Sequence, residues 1–282
     1  MSSILPLDLA DLPAVMRLVD DEGWQGYAIE DLTLIMTVSP EHCFKQVDDD
    51  GVLSGSIFAL TVGRVSYLSF FLIKAGCRSY ATARALGLRS ILAARQRASI
   101  IVTFGNRRAI TAYRRHGFIA EQWVTRHQVT LLSDGYFPAS AAVAEVAPTA
   151  IAEIDRSCHR TDRTVLLSAL AVYGDLRTLA CHGPEGRLTG YTMVRRVGGT
   201  ATIGPLVAER DDDAAGLIAV ALATLPSRTA IIELTDDRLP AISPRVLAFM
   251  PTTVSVLKMH QGDPTATENG RLFYALGGHH FS

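Results

Sequence analysis

The sequence predicts a mixed α/β fold (α+β in arrangement) built from two similar units in tandem. Three observations support this prediction. The chain has 282 residues, which is enough for about two domains of ordinary size. In the first half, two helical segments precede three strand-like segments, and helix, strand, helix and strand follow. After a connector the same order returns, although few residues repeat.

Two helices open the first half. The segment from Asp8 to Asp21 can be capped by Asp8 or Asp11, and apolar side chains recur along one side of it. These side chains are Leu12, Val15, Met16, Leu18 and Val19. A shorter helical segment follows Trp24 and carries Leu32, Ile35 and Met36. Both helices are expected to pack one face on a sheet.

Strands dominate the next part of the chain. The segments CFKQV and VLSGSIFAL flank an Asp-Gly turn and predict a hairpin, and a third strand runs from Arg64 to Ile73. Ala81 to Arg97 is rich in Ala, Leu and Arg and predicts a helix, after which SIIVTF predicts a buried strand. The segment NRRAITAYRRHGF predicts a second helix, followed by strand-like sequence to Leu132.

Leu132 to Pro148 has the Pro, Gly, Ser and Ala content of a connector. Beyond it RTLACHG, RLTGYTMVRR and TATIGPLVA predict three strands, and DDDAAGLIAVALATL predicts a helix whose acids suit its N-terminus. TAIIEL predicts a strand, Ser243 to Met250 a helix, and TTVSVLKMH a final strand. We therefore expect one domain over residues 1–134 and another over residues 135–282.

The composition indicates a folded protein of the cytoplasm. Hydrophobic residues make up 48% and charged residues 20% of the chain, which argues against disorder. Apolar runs such as Phe70 to Ile73 are too short to cross a bilayer, and the first residues lack a secretory signal. Four scattered cysteines form no CxxC pair or Cys/His cluster. We expect reduced, mostly buried thiols, no metal site, no membrane contact, and a monomer or homodimer.

A net charge of −1 conceals a segregation of charge along the chain. Met1 to Gly63 holds two basic and eleven acidic residues, whereas Arg64 to Arg126 holds twelve basic residues and one acid, Glu121. Such a basic block predicts either a solvated face or an anionic partner, such as a nucleotide or nucleic acid.

Two segments within the basic block could carry chemistry. In KAGCRSYATARAL a strand leads through small residues into a helix, whose free N–H groups could bind an anion. An ordinary strand-to-helix turn would explain the same residues. In NRRAITAYRRHGF an asparagine precedes a helix with a tyrosine seven residues on, and Gly117–Phe118 ends the segment.

The two segments together resemble the GNAT superfamily of acyl-CoA-dependent N-acyltransferases. RSYATARAL looks like the RGxGxAxxL pyrophosphate loop of that family, and NRRAITAYRRHGF is similar to its N-x-x-A-x-x-x-Y-x-x-x-G-F element. One helix and one strand separate them, as the family requires. The resemblance implies tandem GNAT folds, each a mostly antiparallel mixed sheet flanked by helices.

The resemblance also implies the cofactor and the site residues. Acetyl-CoA, or another acyl-CoA, would be bound by residues of the third strand, the loop and the Asn-Tyr element. These residues are Phe71, Leu72, Ile73, Gly76, Arg78, Ser79, Tyr80, Ala81, Thr82, Asn106 and Tyr113. Backbone N–H groups of the Phe70–Leu72 strand would polarise the thioester carbonyl. Tyr113 would protonate the departing thiolate as a general acid, although a core aromatic is the alternative explanation for it.

The loop departs from the family pattern, because Ser79 and Ala81 stand where glycines are usual and Tyr80 is bulky between them. Added Cβ atoms narrow the approach of a pyrophosphate, which could weaken cofactor binding. The second half is similar to the C-terminal domain of a group of two-domain GNAT proteins, but it lacks both motifs. Three acids, Asp211 to Asp213, occupy the place of the phosphates. We expect a degenerate copy that shapes the acceptor site.

Candidate acceptor residues come from both halves. Glu22 could hold an ammonium group or relay its proton as a second catalytic residue, and Trp24 could wall the site. A solvated helix end and a core anchor are the respective alternatives. Asp162 and Arg163 match a DR pair of the C-terminal group and could bind a polar substrate, or they could form a surface ion pair.

The sequence thus predicts transfer of an acetyl group from acetyl-CoA to the amine of a small-molecule or amino-acid-like acceptor by direct attack in a ternary complex. The alternative is a catalytically weakened GNAT that binds acyl-CoA or an amino compound as a sensor. A nucleic-acid partner is disfavoured, because the basic block lacks the interleaved exposed aromatics of a single-strand platform.

Overall fold

A computed structural model describes residues 3–133, 142–172, 175–183, 186–197, 199–242, 246–263 and 270–278. In these ranges the chain has the predicted mixed α/β class, with helices on a large, mostly antiparallel sheet. Within the same ranges, no helix is both long enough and apolar enough to span a bilayer.

The first half follows the predicted order with one added edge strand. Its strands are β1 (Ser3–Pro6), β2 (Phe44–Val47), β3 (Leu53–Val62), β4 (Val65–Ile73), β5 (Ile100–Gly105) and β6 (Ile119–Leu131). Its helices are α1 (Leu12–Asp21), α2 (Ile29–Val38), α3 (Tyr80–Ala94) and α4 (Ile110–Arg115). The predicted stripe of α1 is buried at Leu12, Val15, Leu18 and Val19, because the helix packs its apolar face on the sheet.

The second half contains elements that the sequence analysis did not identify. Its strands are β7 (Ala142–Val146), β8 (Arg177–His182), β9 (Leu188–Val197), β10 (Thr200–Ala208), β11 (Thr229–Thr235), β12 (Leu247–Gln261) and β13 (Phe273–Leu276). Its helices are α5 (Ala152–His159), α6 (Thr164–Leu170) and α7 (Asp211–Ala223). The strands β1, β7 and β13 and the helices α5 and α6 are the additions.

Two predictions about this half need correction. The connector from Leu132 to Pro148 includes β7, which pairs with β8 from Ala142↔His182 to Val146↔Thr178. The helix predicted from Ser243 to Met250 is wrong over Leu247–Met250, because that stretch pairs with β6 as the start of β12. Residues 243–245 lie outside the described ranges. In both places pairing with a neighbouring strand overrides the local sequence signal, which was that of a connector in the first and of a helix in the second.

The two halves share one sheet, and a strand of the second half is inserted into the first. The strand order is β1-β2-β3-β4-β5-β12-β6-β11-β13-β10-β9-β8-β7. β12 lies antiparallel between β5 and β6, with Leu257 opposite Gly105 on one side and Trp123 on the other. β6 also pairs with β11, from Val124↔Thr235 to Thr130↔Thr229. The second half therefore contributes directly to the sheet around the candidate site.

Each half has one pair of parallel strands, and the two pairs differ at their ends. β4 and β5 are in register from Val65↔Ile100 to Leu68↔Thr103, and the register ends there. Phe70 follows with a left-handed φ of 44°, at a shift in the β3–β4 register. This bulge turns β4 away from β5. In the second half β10 and β11 pair only at Thr202↔Ile231 and Ile203↔Ile232, and β13 fills the space between their ends.

Candidate active site

A cavity of about 510 Å³ opens where β4 and β5 diverge. Its walls are the end of β4, the N-terminal part of α3, and α4 with the loop before it. The lining includes Glu22, Trp24, Phe71, Leu72, Ile73, Arg78, Ser79, Tyr80, Arg84, Asn106, Arg108, Tyr113 and His116. A crevice at the carboxyl ends of diverging parallel strands is a usual place for a ligand in α/β folds.

The N-terminus of α3 gives this cavity an anion-binding character. The first N–H groups of a helix have no partner within the helix and carry its positive end. The hydroxyl oxygen of Ser79 accepts one of them, from Thr82, at 3.0 Å. Arg78 and Arg84 add positive charge beside the helix end. Arg78 also forms an ion pair with Glu22 and donates to the carbonyl oxygen of Ile73 at 2.8 Å.

Asn106 organises the start of α4. Its Oδ1 accepts backbone N–H groups from Arg108 and Ala109, both at 3.1 Å. This local cap fixes the turn between β5 and α4 and leaves the Nδ2 group of Asn106 for other partners. The turn holds α4 so that Tyr113, in its second turn, faces the gap between β4 and β5.

Tyr113 occupies the centre of the site. Its ring packs edge-on against Phe118, with centroids 5.4 Å apart. A Cβ on Gly105 would lie 3.1 Å from the Tyr113 ring, so glycine at that place permits the ring to pack on β5. Burial raises the pKa of the Tyr113 phenol, and a hydrogen bond with Thr103 offsets only part of the rise. Tyr113 is therefore protonated at neutral pH and can act as a proton donor.

A second cavity of about 550 Å³ adjoins the first at Tyr113. Both cavities are lined by the same six residues, namely Trp24, Leu68, Phe71, Asn106, Ala109 and Tyr113. The second cavity is also lined by Gly23, Gln25 and Tyr27 of the first half and by Thr253 to Val256 of β12. A ligand in either cavity could therefore contact Tyr113.

A group of partly buried polar residues borders the second cavity where the two halves meet. Arg126 of β6 bonds the Oε1 atom of Glu233 of β11 through Nε at 2.9 Å and through Nη2 at 2.7 Å. Arg126 also donates to the backbone carbonyl of Gln25 at 3.3 Å. Burial, with Glu233 nearby, raises the pKa of the Tyr27 phenol in this group. A third cavity of about 280 Å³ adjoins it and is lined by Tyr27, Arg126 and Glu233, among others.

The structure brings together most of the residues predicted to bind the cofactor. Eight of the eleven line the first cavity, namely Phe71, Leu72, Ile73, Arg78, Ser79, Tyr80, Asn106 and Tyr113. Gly76, Ala81 and Thr82 lie in the adjoining turn and the first turn of α3, outside that lining. The Tyr80 ring is exposed and stacks on His116 of α4, with centroids 6.3 Å apart.

The acceptor residues are less well grouped. Trp24 lines both cavities, whereas Glu22 lines the cavity of the α3 terminus and pairs there with Arg78. Asp162 is exposed and accepts the N–H and hydroxyl of Thr164 at the start of α6. Arg163 is buried and bonds Asp155 through two nitrogens, each at 3.1 Å. Neither Asp162 nor Arg163 lines any of the three cavities described here.

The Asp155–Arg163 pair belongs to the core of the second half. Tyr191 donates a hydrogen bond to Asp155 at 2.6 Å. Burial alone would raise the pKa of Asp155, but the Arg163 guanidinium and the neighbouring His159 hold it below its usual value. Breaking a buried pair of this kind would leave a charge without its partner in the core, so Asp155 and Arg163 contribute to the stability of the fold.

Sequence reasoning did not identify three polar residues of the cavities. Arg108 and His116 line the first cavity. Both lie within the segment NRRAITAYRRHGF, and that position was the sequence feature that could have identified them. Arg126 is the last residue of the basic block, and the alternation along β6 gave no indication that it faces a cavity. In the described part of the chain, no group of three or more His, Cys, Asp or Glu residues is placed to hold a metal.

Comparisons with known proteins agree with this architecture. Residues 151–274 match the model of the acetyltransferase (GNAT) domain family. The match lies in the second half, whereas the resemblance to the pyrophosphate loop lies in the first. No curated protein matches the sequence.

Solved structures are similar over nearly the whole chain. A proposed acetyltransferase from Pyrococcus horikoshii has a TM-score of 0.83 and 18% identity, over 100% of this chain and 96% of that one. A tandem GNAT protein from the clavulanic acid biosynthesis pathway has a TM-score of 0.60 and 17% identity, over 93% and 98%. A GCN5-related N-acetyltransferase from Sphaerobacter thermophilus has a TM-score of 0.61 and 13% identity, over 92% and 95%. At these identities the similarity establishes the fold.

Proposed function

We propose that this chain is an N-acyltransferase of the GNAT superfamily, because residues 151–274 match a GNAT domain model and the fold of the whole chain is similar to GNAT structures. It would move an acetyl group from acetyl-CoA, or another acyl group from its CoA thioester, to a small-molecule amine. The observation that carries the proposal is the position of Tyr113, whose desolvated phenol lies where two cavities meet.

The first cavity fits an acyl-CoA. Positive charge from Arg78, Arg84 and Arg108, together with the N-terminus of α3, suits a pyrophosphate. The divergent ends of β4 and β5 leave room for the pantetheine arm beside the backbone of Phe71 to Ile73. The Nδ2 group of Asn106 could donate to that arm. Ser79 supplies one side-chain oxygen to its own helix, which leaves the remaining terminal N–H groups for phosphate oxygens.

The chemistry would be a direct transfer. The amine nitrogen attacks the thioester carbon, the carbon–sulfur bond breaks, and Tyr113 delivers its proton to the departing sulfur. Backbone N–H groups at the bulge near Phe71 and Leu72 would stabilise charge on the carbonyl oxygen. Solvent would accept the proton that the amine loses and return one to the tyrosine. The second cavity, which also borders Tyr113, would hold the acceptor.

The second half is proposed to shape the acceptor site and not to bind a second cofactor. β13 fills the gap between the parallel strands β10 and β11, which corresponds to the open gap between β4 and β5. Three acids begin α7, where phosphates would otherwise meet the helix end. In contrast, Thr253 to Val256 of β12 line the acceptor cavity.

The test is a screen of small amines for acyl-CoA-dependent release of a free thiol, followed by initial rates with both substrates varied. We expect intersecting double-reciprocal lines, as for a ternary complex. Parallel lines would indicate a covalent acyl-enzyme and contradict direct attack. Tight binding of acetyl-CoA with no thiol release in the presence of any amine would favour the alternative, a sensor protein. The supporting observation for that alternative is the loop before α3, in which Ser79 and Ala81 replace the usual glycines.

A further inference from the structure

We propose that the acceptor amine also carries a carboxylate and that Arg126 binds this group, so that the preferred acceptors are amino acids or similar amino carboxylates. This inference rests on the proposed N-acyl transfer and assigns the chemical class of its second substrate. It also gives a specificity-determining role to a residue of β6 that no motif marks.

The charge around the acceptor cavity is the first argument. Arg126 is the one charged side chain among the residues described as lining it, and no Asp, Glu or His lines it with Arg126. Glu233, the ionic partner of Arg126, lines the adjoining third cavity instead. Arg126 lines both of these cavities, whereas Glu233 lines only the third of the three, so the acceptor cavity is lined by the positive member of the pair without the negative one.

The hydrogen bonds of Arg126 are the second argument. Both bonds to Glu233 go to the single atom Oε1, so the two partners do not form the parallel fork that satisfies a guanidinium best. Arg126 also has a side-chain hydrogen bond with Tyr27, and its bond from Nη1 to the Gln25 carbonyl is long, at 3.3 Å. Gln25 is exposed and borders the acceptor cavity. A carboxylate entering there could replace that contact with a shorter, charge-assisted bond.

The same charges disfavour an acceptor that is only cationic. A polyamine or an aminoglycoside would bring further ammonium groups into a cavity that lacks a lining acid among the described residues and contains a guanidinium. The acids of the two neighbouring cavities are already paired, Glu22 with Arg78 and Glu233 with Arg126. A nearby cation also favours the neutral form of the incoming amine, which is the form that attacks a thioester.

Aromatic rings form an apolar wall of the acceptor cavity. Trp24, Tyr27 and Phe70 form a connected group, with ring centroids 5.9 Å and 5.2 Å apart, and Phe71 and Phe104 complete the apolar wall. A volume of about 550 Å³ is more than a small amino acid requires. Amino carboxylates with an apolar side chain would use this wall.

The test compares acceptors that differ only at the carboxylate. One matched series is phenylalanine, phenylalaninamide and phenethylamine, and the other natural amino acids are compared with their amides in the same way. Spermidine represents the cationic acceptors. The measured quantity is kcat/KM for thiol release with saturating acetyl-CoA. For the best amino acid we expect an acid-to-amide ratio of at least about tenfold, the effect of one charge-assisted hydrogen bond.

The variants locate this selectivity at Arg126. Arg126→Gln should lower the acid-to-amide ratio at least about tenfold, and Arg126→Lys should keep part of it. Because Arg126→Gln leaves Glu233 buried without its cation, the double variant Arg126→Gln/Glu233→Gln is measured as well and should show the same loss. Arg177→Gln is the matched control, since it removes an arginine that pairs with Glu145 on the surface of the second half. It should leave the ratio unchanged.

The outcomes separate this inference from the proposed function. Thiol release with amides or spermidine at least as fast as with amino acids would overturn the inference and leave N-acyl transfer intact. An acid preference that survives in the double variant would also overturn the role of Arg126. If no amine of any class supports thiol release although acetyl-CoA binds, the proposed function fails and the acceptor assignment fails with it.

Discussion

Replacing Tyr113 with phenylalanine removes one oxygen from the place where the two cavities meet. The ring would keep its position, because it is held by Phe118 at 5.4 Å and by the surface that Gly105 leaves open. The variant therefore separates the proton donor from the packing. Loss of the hydrogen bond with Thr103 should cost about 0.5–1.5 kcal/mol of stability, which the folded protein can tolerate.

The expected effect falls on turnover. General acid catalysis contributes about 10²- to 10⁴-fold in rate, which corresponds to about 2.7–5.4 kcal/mol of the activation barrier. Because the phenol acts mainly in the transition state, the affinity for acyl-CoA should change little. Since burial raises the pKa of Tyr113, the wild-type rate should not decline on its account until the pH exceeds the ordinary tyrosine value of about 10.

The assay is steady-state thiol release with calorimetric binding of acetyl-CoA measured on the same samples. Tyr274→Phe is the matched control, because Tyr274 loses a hydrogen bond to Asp211 in the second half and lines none of the three cavities described. It should retain wild-type turnover. Wild-type turnover in Tyr113→Phe would refute the proton-donor role and leave Tyr113 as a packing residue.

Three further predictions concern charge and exposure. Changing Arg78 and Arg84 together to Gln should weaken acetyl-CoA binding by about tenfold or more and flatten its salt dependence, measured by titration between low and high salt; an unchanged affinity would contradict the phosphate assignment. Cys77 should be the cysteine that reacts first with a thiol reagent in the native protein, since the other three are buried, and acetyl-CoA should slow the reaction because Arg78 is adjacent. Asp155→Asn should cost about 3–5 kcal/mol in urea unfolding, because it leaves Arg163 buried without its anion. Because the pKa of Asp155 is lowered in the folded state, its contribution to the free energy of unfolding of the wild type should be present above about pH 4 and disappear as the pH falls further. An equal pH dependence of the unfolding free energy in the wild type and the variant would contradict this.

The first half was predictable because its local signals agree with its tertiary structure. The amphipathic stripe of α1, the Asp-Gly turn before β3 and the small residues before α3 each act over a few residues. The spacing from Asn106 to Tyr113 also has a local structural basis, since Asn106 caps the turn into α4 and Tyr113 lines the cavities. Sequence reasoning therefore identified the wall of the cofactor cavity.

The second half and the acceptor cavity depend on long-range pairing, which a sequence pattern does not show. β12 inserts between β5 and β6, so Leu247 to Met250 is a strand despite its helical local preference. β13 is short and becomes a strand only because β10 and β11 leave a gap. Arg126 faces a cavity because these strands surround it. In contrast, the buried bond to Asp155 explains why Arg163, a plausible ligand in the sequence, lies in the core.

The central claim is that one acyl-CoA binds per chain, in the cavity between β4 and β5. Calorimetric titration of acetyl-CoA into the full chain tests it most directly, with two variants. Ala112→Trp places a large side chain at an exposed position that lines this cavity, and Asp212→Ala removes an acid from the start of α7. We predict a stoichiometry near one, abolished or strongly weakened binding in Ala112→Trp, and unchanged binding in Asp212→Ala. A stoichiometry near two, or tight binding that persists in Ala112→Trp, would contradict the account.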